Sequence, residues 1–184
     1  MRTFSMLAGA MLLALLSISV STSTVDAQAA ADPTTASIKT TYDIVKGYIL
    51  KAAAQVPEDK YKYQPTKEVR TMGAVFGHIA ESNGGICATA SGMQPVAAGA
   101  EKLATKAELQ KALADSFAFC DKAFTAITAA NMNESVTLFG QLKLSRLGAL
   151  AFNNTHDFEH YGNIVTYMRL NGMVPPSSGG GGGN

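Results

Sequence analysis

Thr155-His156-Asp157-Phe158-Glu159-His160-Tyr161-Gly162-Asn163-Ile164-Val165-Thr166-Tyr167 carries two of the chain's three histidines, four residues apart. At about 100° of helical turn per residue, positions i and i+4 project from one face, one turn apart. Two imidazoles so placed suit a single divalent ion with bonds of ~2.0–2.1 Å, and imidazole favours Zn, Fe, Ni and Cu over Mg or Ca. The third histidine, His78, lies far upstream in another stretch that reads as helix. A fold that serves this pattern must bring the two helices together.

Working outward, the quoted stretch belongs to a helix from about Leu144 to Leu170. Leu147, Ala151, Phe158, Val165 and Met168 give it an apolar face, and Phe152, His156, His160, Asn163 and Tyr167 form a half-polar stripe beside it. Asn171-Gly172 and Pro175-Pro176 end it. Ser177 to Asn184 is a Gly-rich tail. Near the other end, Ala31 to Thr35 reads as a flexible lead-in. Ile38, Tyr42, Val45, Ile49, Ala52 and Val56 then space a first helix that Pro57 stops. A second helix is predicted over about Val69–Ala90. Its stripe is Met72, Phe76, Ile79 and Ile86, interrupted by Asn83, with His78 on the inward shoulder. Gly73, Gly77, Gly84 and Gly85 in this helix serve close approach or free space around a ligand. Thr105 and Glu108 form a capping box for a third helix, with Leu109, Leu113, Phe117, Cys120, Phe124 and Ile127 on one side and an end near Asn131. Asn133 to Leu142 reads as a packed loop or short extended piece. Four helices without a convincing strand pattern give an all-α four-helix bundle.

Composition narrows the functional classes. Hydrophobic content of 47% and charged content of 16% describe a packed globular domain. A formal charge of +1 argues against phosphate-dominated binding, and 8% aromatics without Trp leave little for base stacking, so no nucleic-acid partner is expected. Residues 1–29 read as a signal peptide: Arg2, an apolar run from Leu7 to Val20, then Val25-Asp26-Ala27 and Ala27-Gln28-Ala29 as small-x-small cleavage sites. The run is shorter than the ~20 apolar residues of a spanning helix, and no Cys follows it, so no stable membrane anchor is expected. Export to a periplasm or the exterior places the even pair Cys87 and Cys120 in a disulfide-permissive compartment; two small buried core thiols are the alternative.

Three histidines from two helices would leave coordination positions open, as catalytic sites do. His156 to His160 also matches H-x-x-E-H, an inverted zinc-protease motif, but that chemistry needs a further acidic ligand and no Asp or Glu follows Glu159. Asp157 and Glu159 fall about 100° to either side of the ligand face and read as a solvated flank. Asn163 and Asn153, three residues from His160 and His156, share the ligand stripe, and Glu81 and Ser82 lie one turn beyond His78. These four are candidates to orient ligand rings or face a substrate. Tyr161 and Tyr167 read as packing residues with a wet hydroxyl. The spacing identifies no catalytic residue.

Val69-Arg70-Thr71-Met72-Gly73-Ala74-Val75-Phe76-Gly77-His78-Ile79-Ala80 resembles the second helix of the DinB-like superfamily of metalloenzymes. The segment from His156 to Arg169 resembles its fourth helix, Gly172-Met173-Val174-Pro175-Pro176 its ending, and Val56-Pro57-Glu58-Asp59-Lys60-Tyr61 its first connection. The resemblance spans roughly Thr35 to Pro176, within a domain read as 30–176. It implies an up-down-down-up bundle and one divalent ion (Zn, Ni, Fe or Mn) on three histidines, by motif position His78, His156 and His160. Known members include transferases and isomerases that use low-molecular-weight thiols. Their cytosolic thiol chemistry fits an exported chain poorly, which favours hydrolysis over transfer. The implied activity is therefore that of a metal-dependent hydrolase or transferase acting on a small molecule, with a homodimer as the candidate assembly. A non-catalytic metal- or ligand-binding stress protein is the alternative, and purely structural histidines are a third reading. Parallel second and third helices, as the topology implies, would put Cys87 and Cys120 at nearly equal heights, so a disulfide between them is expected.

Overall fold

A computed structural model describes residues 32–179. The signal-peptide reading of residues 1–29 lies outside them. Four helices form the body: α1 (Pro33–Gln55), α2 (Met72–Ser91), α3 (Lys106–Ala126) and α4 (Arg146–Leu170). Short 3-10 turns at Glu58–Lys62 and Ala100–Lys102 punctuate the connections. None of the described helices is long and apolar enough to cross a membrane.

The helix ends follow from side-chain chemistry. Asp32 Oδ1 accepts from the backbone N–H groups of Thr34 (2.9 Å) and Thr35 (3.2 Å), and Pro33 occupies the first turn, where its missing N–H costs nothing. Asp32 to Thr35, expected to belong to a flexible lead-in, are thus the cap and first turn of α1. Lys106 Nζ donates to the carbonyls of Ala54 (2.9 Å) and Val56 (2.6 Å), covering the other end. The capping box at Thr105 and Glu108 is present. α3 stops at Ala126, short of the expected Asn131, because the Asn131 side chain folds back. Its amide donates to Ala126 O (3.0 Å) and accepts from Thr128 N (2.8 Å), substituting a capped turn for further helix. Of the two readings of Asn133 to Leu142, the extended piece is the one present, and it pairs with a second strand that the helix expected from Leu144 had partly covered. Ser135–Leu138 (β1) and Leu142–Ser145 (β2) pair antiparallel with Ser135 opposite Ser145, the turn being made at positive φ by Phe139 and Gly140. The tail begins later than Ser177, since Ser177 and Ser178 hydrogen-bond to Tyr161 Oη and Arg169 Nη2, both at 3.0 Å.

The core gathers Tyr42, Ile49, Phe76, Ile79, Leu113, Phe117, Leu150 and Ile164, each almost fully buried. α4 turns a different face inward from the one its hydrophobic residues suggest. Phe158 is 41% exposed, whereas Leu147, Leu150, Asn154, Asp157, Tyr161, Ile164 and Met168 are buried. Those positions step by three and four throughout, so the geometry is that of an ordinary inward stripe; two of its members are polar. Cys87 and Cys120, both buried, form a disulfide between α2 and α3.

Gly73, Gly77 and Gly84 of α2 admit neighbouring backbone rather than a ligand. A Cβ on Gly84 would overlap the Val96 carbonyl, and one on Gly77 would lie 2.6 Å from Glu101 Cα. A Cβ on Gly85 meets open space. Gly84→Ala is therefore expected to destabilise the protein by about 1–2 kcal/mol, overpacking outweighing the helix-propensity gain. Gly85→Ala is expected to stabilise it by up to about 1 kcal/mol. Chemical denaturation of the two variants side by side checks both signs.

Candidate metal centre

α2 and α4 run in opposite directions along a seam of paired contacts. From one end to the other, Tyr167 Oη donates to Arg70 O (3.0 Å), His156 meets His78, Asn153 Nδ2 donates to Asn83 Oδ1 (2.8 Å) and Arg146 Nη1 donates to Ala90 O (3.0 Å). The seam delivers His78 from α2 to the two α4 histidines. His156 Nε2 lies 3.3 Å from His78 Nε2 and 3.1 Å from His160 Nε2. Two ligand nitrogens on a tetrahedral ion with ~2.0–2.1 Å bonds are themselves ~3.3 Å apart.

The donor set fits a cation on chemical grounds as well. The Nε2 of a neutral imidazole offers either one N–H or one lone pair, so His156 Nε2, which touches both His78 and His160, cannot pair fully with both through a proton. A positive ion among them removes that conflict. His156 and His160 are biased toward the neutral form that ligation requires. Burial first, then the neighbouring His160 and His78, pushes His156 down to about 4, and burial followed by His78 also lowers His160. His78 and His156 are half-buried and His160 is 8% exposed.

The ring nitrogens facing away from the cluster have unequal partners. His78 Nδ1 lies 3.3 Å from Glu101 Oε2, His160 Nδ1 lies 3.3 Å from the Asn163 amide nitrogen, and His156 Nδ1 is buried without a partner. Ligation through His160 Nε2 leaves Nδ1 protonated, so the Asn163 amide must then turn its oxygen to that ring. Beside His160 opens a cavity of about 540 Å³ whose walls include Glu68, Arg70, Glu159, Asn163 and Tyr167.

The other candidates are placed differently. Asn153 points into the core and not at a ring. It donates to Asn83 and to Asp157 Oδ2 (3.1 Å), away from the histidine cluster. Glu81 is exposed and accepts from the backbone N–H of Glu101 at 3.3 Å, so it holds a loop. Ser82 is half-buried one turn beyond His78 and is not among the hydrogen-bond partners of the three rings. Glu159 is exposed at the cavity wall. Asp157, expected on a solvated flank, is fully buried, and burial raises its carboxyl well above the usual range. Asn153→Ala would remove that carboxyl's donor and is expected to cost about 2–3 kcal/mol, measurable by chemical denaturation. The contacts of Glu101 and Arg70 lie beyond the reach of periodicity. Glu101 sits in the long α2–α3 connection, where no spacing rule ties it to His78.

Two comparisons bear on this geometry. The family model of the DinB superfamily matches residues 41–164, a span holding all three histidines and both cysteines. No curated protein matches the chain.

Proposed function

The chain belongs to the DinB superfamily, and from that premise we propose that it is a divalent-metal protein whose ion, held by His78, His156 and His160, serves a hydrolytic or transfer reaction on a small molecule. The observation that carries this reading is the convergence of three Nε2 atoms, at contacts of 3.1 and 3.3 Å, with one of the three residues, His160, lining a cavity of substrate size. The chemistry a bound ion supplies is Lewis acidity toward a substrate's oxygen or sulfur, or toward a water. The chain's own groups give orientation. Arg70 offers a cationic hydrogen-bond fork at one wall, the Asn163 amide lines the cavity 3.3 Å from His160 Nδ1, and the Tyr167 hydroxyl is fixed on Arg70 O.

Up-down-down-up order belongs to the same reading and has support in the contacts. α1 packs on α4 with Ile38 by Asn154 and Tyr48 by Tyr161, both advancing together. α1 meets α3 in opposed order, Tyr42 by Phe117 and Ala53 by Gln110. α2 and α3 advance together from Gly73 by Leu109 to Cys87 by Cys120. Export is proposed from the N-terminal pattern, and a disulfide in the core is consistent with an oxidising compartment.

One feature favours the non-catalytic alternative. Glu101, a carboxylate 3.3 Å from a histidine ring, faces Nδ1 of His78, the side away from the Nε2 cluster, so it is not placed as a general base. Metal analysis of protein purified without a histidine tag tests the shared part of both readings, and one bound divalent ion per chain is the expected result. Turnover of small esters, amides or thiol conjugates by the metal-loaded protein separates the enzyme from the binding protein; none turned over would sink the enzyme reading.

A further inference from the structure

His78 Nδ1 lies 3.3 Å from Glu101 Oε2. A carboxylate without its proton only accepts, so the hydrogen of this contact sits on Nδ1, and a neutral His78 then carries its lone pair on Nε2. That nitrogen is the one facing His156 Nε2 at 3.3 Å. We propose that Glu101 is a positioning residue of the three-histidine site, fixing the tautomer and ring plane of His78 so that Nε2 stays bare toward the centre it shares with His156 and His160. The proposal rests on reading those histidines as a metal site.

Several independent features hold Glu101 in place. Arg70 Nε donates to its other carboxylate oxygen at 2.7 Å, and Arg70 is itself tied by its carbonyl to Tyr167 Oη at 3.0 Å. The Glu101 backbone N–H donates to Glu81 Oε2 at 3.3 Å. Gly77, next to His78, lets the loop approach: a side chain there would lie 2.6 Å from Glu101 Cα and overlap the Ala100 carbonyl. A surface ion pair between Arg70 and Glu101 would need neither the glycine nor the contact to His78. The three ligands are thereby graded. His78 has a carboxylate behind it, His160 a neutral amide and His156 nothing. A carboxylate makes the ligating nitrogen more basic than an amide does, so His78 is the anchor ligand of the set.

The test uses full-length protein without a histidine tag, its ¹⁵N-labelled imidazoles read by long-range ¹⁵N–¹H correlation and its zinc affinity by competition with a chromophoric chelator. In the metal-free wild type, His78 is expected as the Nδ1–H tautomer, and Glu101→Ala is expected to mix its tautomers. Zinc affinity should fall about 10–100-fold in Glu101→Ala. It should fall less in Glu101→Gln, whose amide oxygen still accepts, and one ion per chain should remain in both. The melting point of metal-free Glu101→Ala should stay near that of the wild type, because the pair it breaks with Arg70 is partly exposed. An Nε2–H tautomer at His78 in the wild type, or zinc affinity in Glu101→Ala within twofold of wild type, overturns the proposal. A wild type that takes no zinc defeats the metal reading instead. The tautomer comparison then decides the role of Glu101 alone, and identical populations in wild type and Glu101→Ala overturn it.

Discussion

His156→Ala is expected to give a folded protein that has lost its divalent ion. His156 is the histidine whose Nε2 touches both of the others, at 3.3 Å to His78 and 3.1 Å to His160, so its loss leaves two rings with a gap between them. Binding free energies of about 10–16 kcal/mol for four-ligand zinc sites correspond to roughly 3–4 kcal/mol per ligand, which converts to an affinity loss of about 10²–10³-fold. The metal-free fold should tolerate the change, because the ring is half-buried and its Nδ1 hydrogen-bonds to nothing. Zinc at about a hundred times its dissociation constant should stabilise the wild type by about 2.7 kcal/mol, a rise of roughly 5–10 °C in melting temperature for a domain this size. The same zinc should raise His156→Ala by no more than about 1–2 °C, since at or below its weakened dissociation constant the gain is at most about 0.4 kcal/mol. Equal zinc-induced shifts in the two proteins would refute the site; a variant that melts far below the metal-free wild type would show that the ring is structural.

The helices and the His156–His160 pair were legible in the sequence because both rest on short periodicities, whereas His78 joined them only by motif position in the family resemblance; the structure brings the three rings together. His156 and His160 are one turn apart, and His78 lies on the inward shoulder of an otherwise apolar stripe. Legibility ended where burial and hydrophobicity part company. Asp157 and Asn154 occupy inward positions of α4, and a reading that searches for apolar side chains rotates that helix until Phe158 faces inward, although it is 41% exposed. The buried amides survive there because they have partners: Asn154 Nδ2 donates to Ile38 O at 2.8 Å, and Asn153 serves Asp157 and Asn83. Glu101 was hidden for another reason. It reaches His78 across a connection whose path is set by missing atoms, the absent side chain at Gly77, and such a path has no period to read. The roles of Asn153 and Glu81 went astray in the same way. Helical spacing gives the face on which a side chain starts, while its hydrogen-bond partner is chosen by the neighbouring element.

Removing the Cys87–Cys120 bond is expected to cost about 3–4 kcal/mol of stability while leaving metal stoichiometry unchanged. The bridge closes a loop with a sequence separation of 33 residues, and the chain-entropy relation for a loop of that length gives about 3.7 kcal/mol of destabilisation on opening it. At roughly 2–4 °C per kcal/mol for a domain of about 150 residues, the double variant Cys87→Ala/Cys120→Ala should melt some 8–14 °C lower. Serine is the worse replacement. Both positions are fully buried, and a hydroxyl there adds a desolvation cost of about 1–3 kcal/mol wherever it lacks a partner. The metal site should be spared because the two devices join different helices. The disulfide ties α2 to α3, whereas the histidines sit on the α2–α4 seam, which Tyr167, Asn153 and Arg146 hold independently. Denaturant unfolding with and without reductant, run beside zinc stoichiometry on the same samples, separates the effects. Reductant should lower the wild-type midpoint to near that of the alanine variant and leave the variant where it was. Loss of zinc on reduction would instead mean that the α2–α3 bond holds α2 in the position that presents His78.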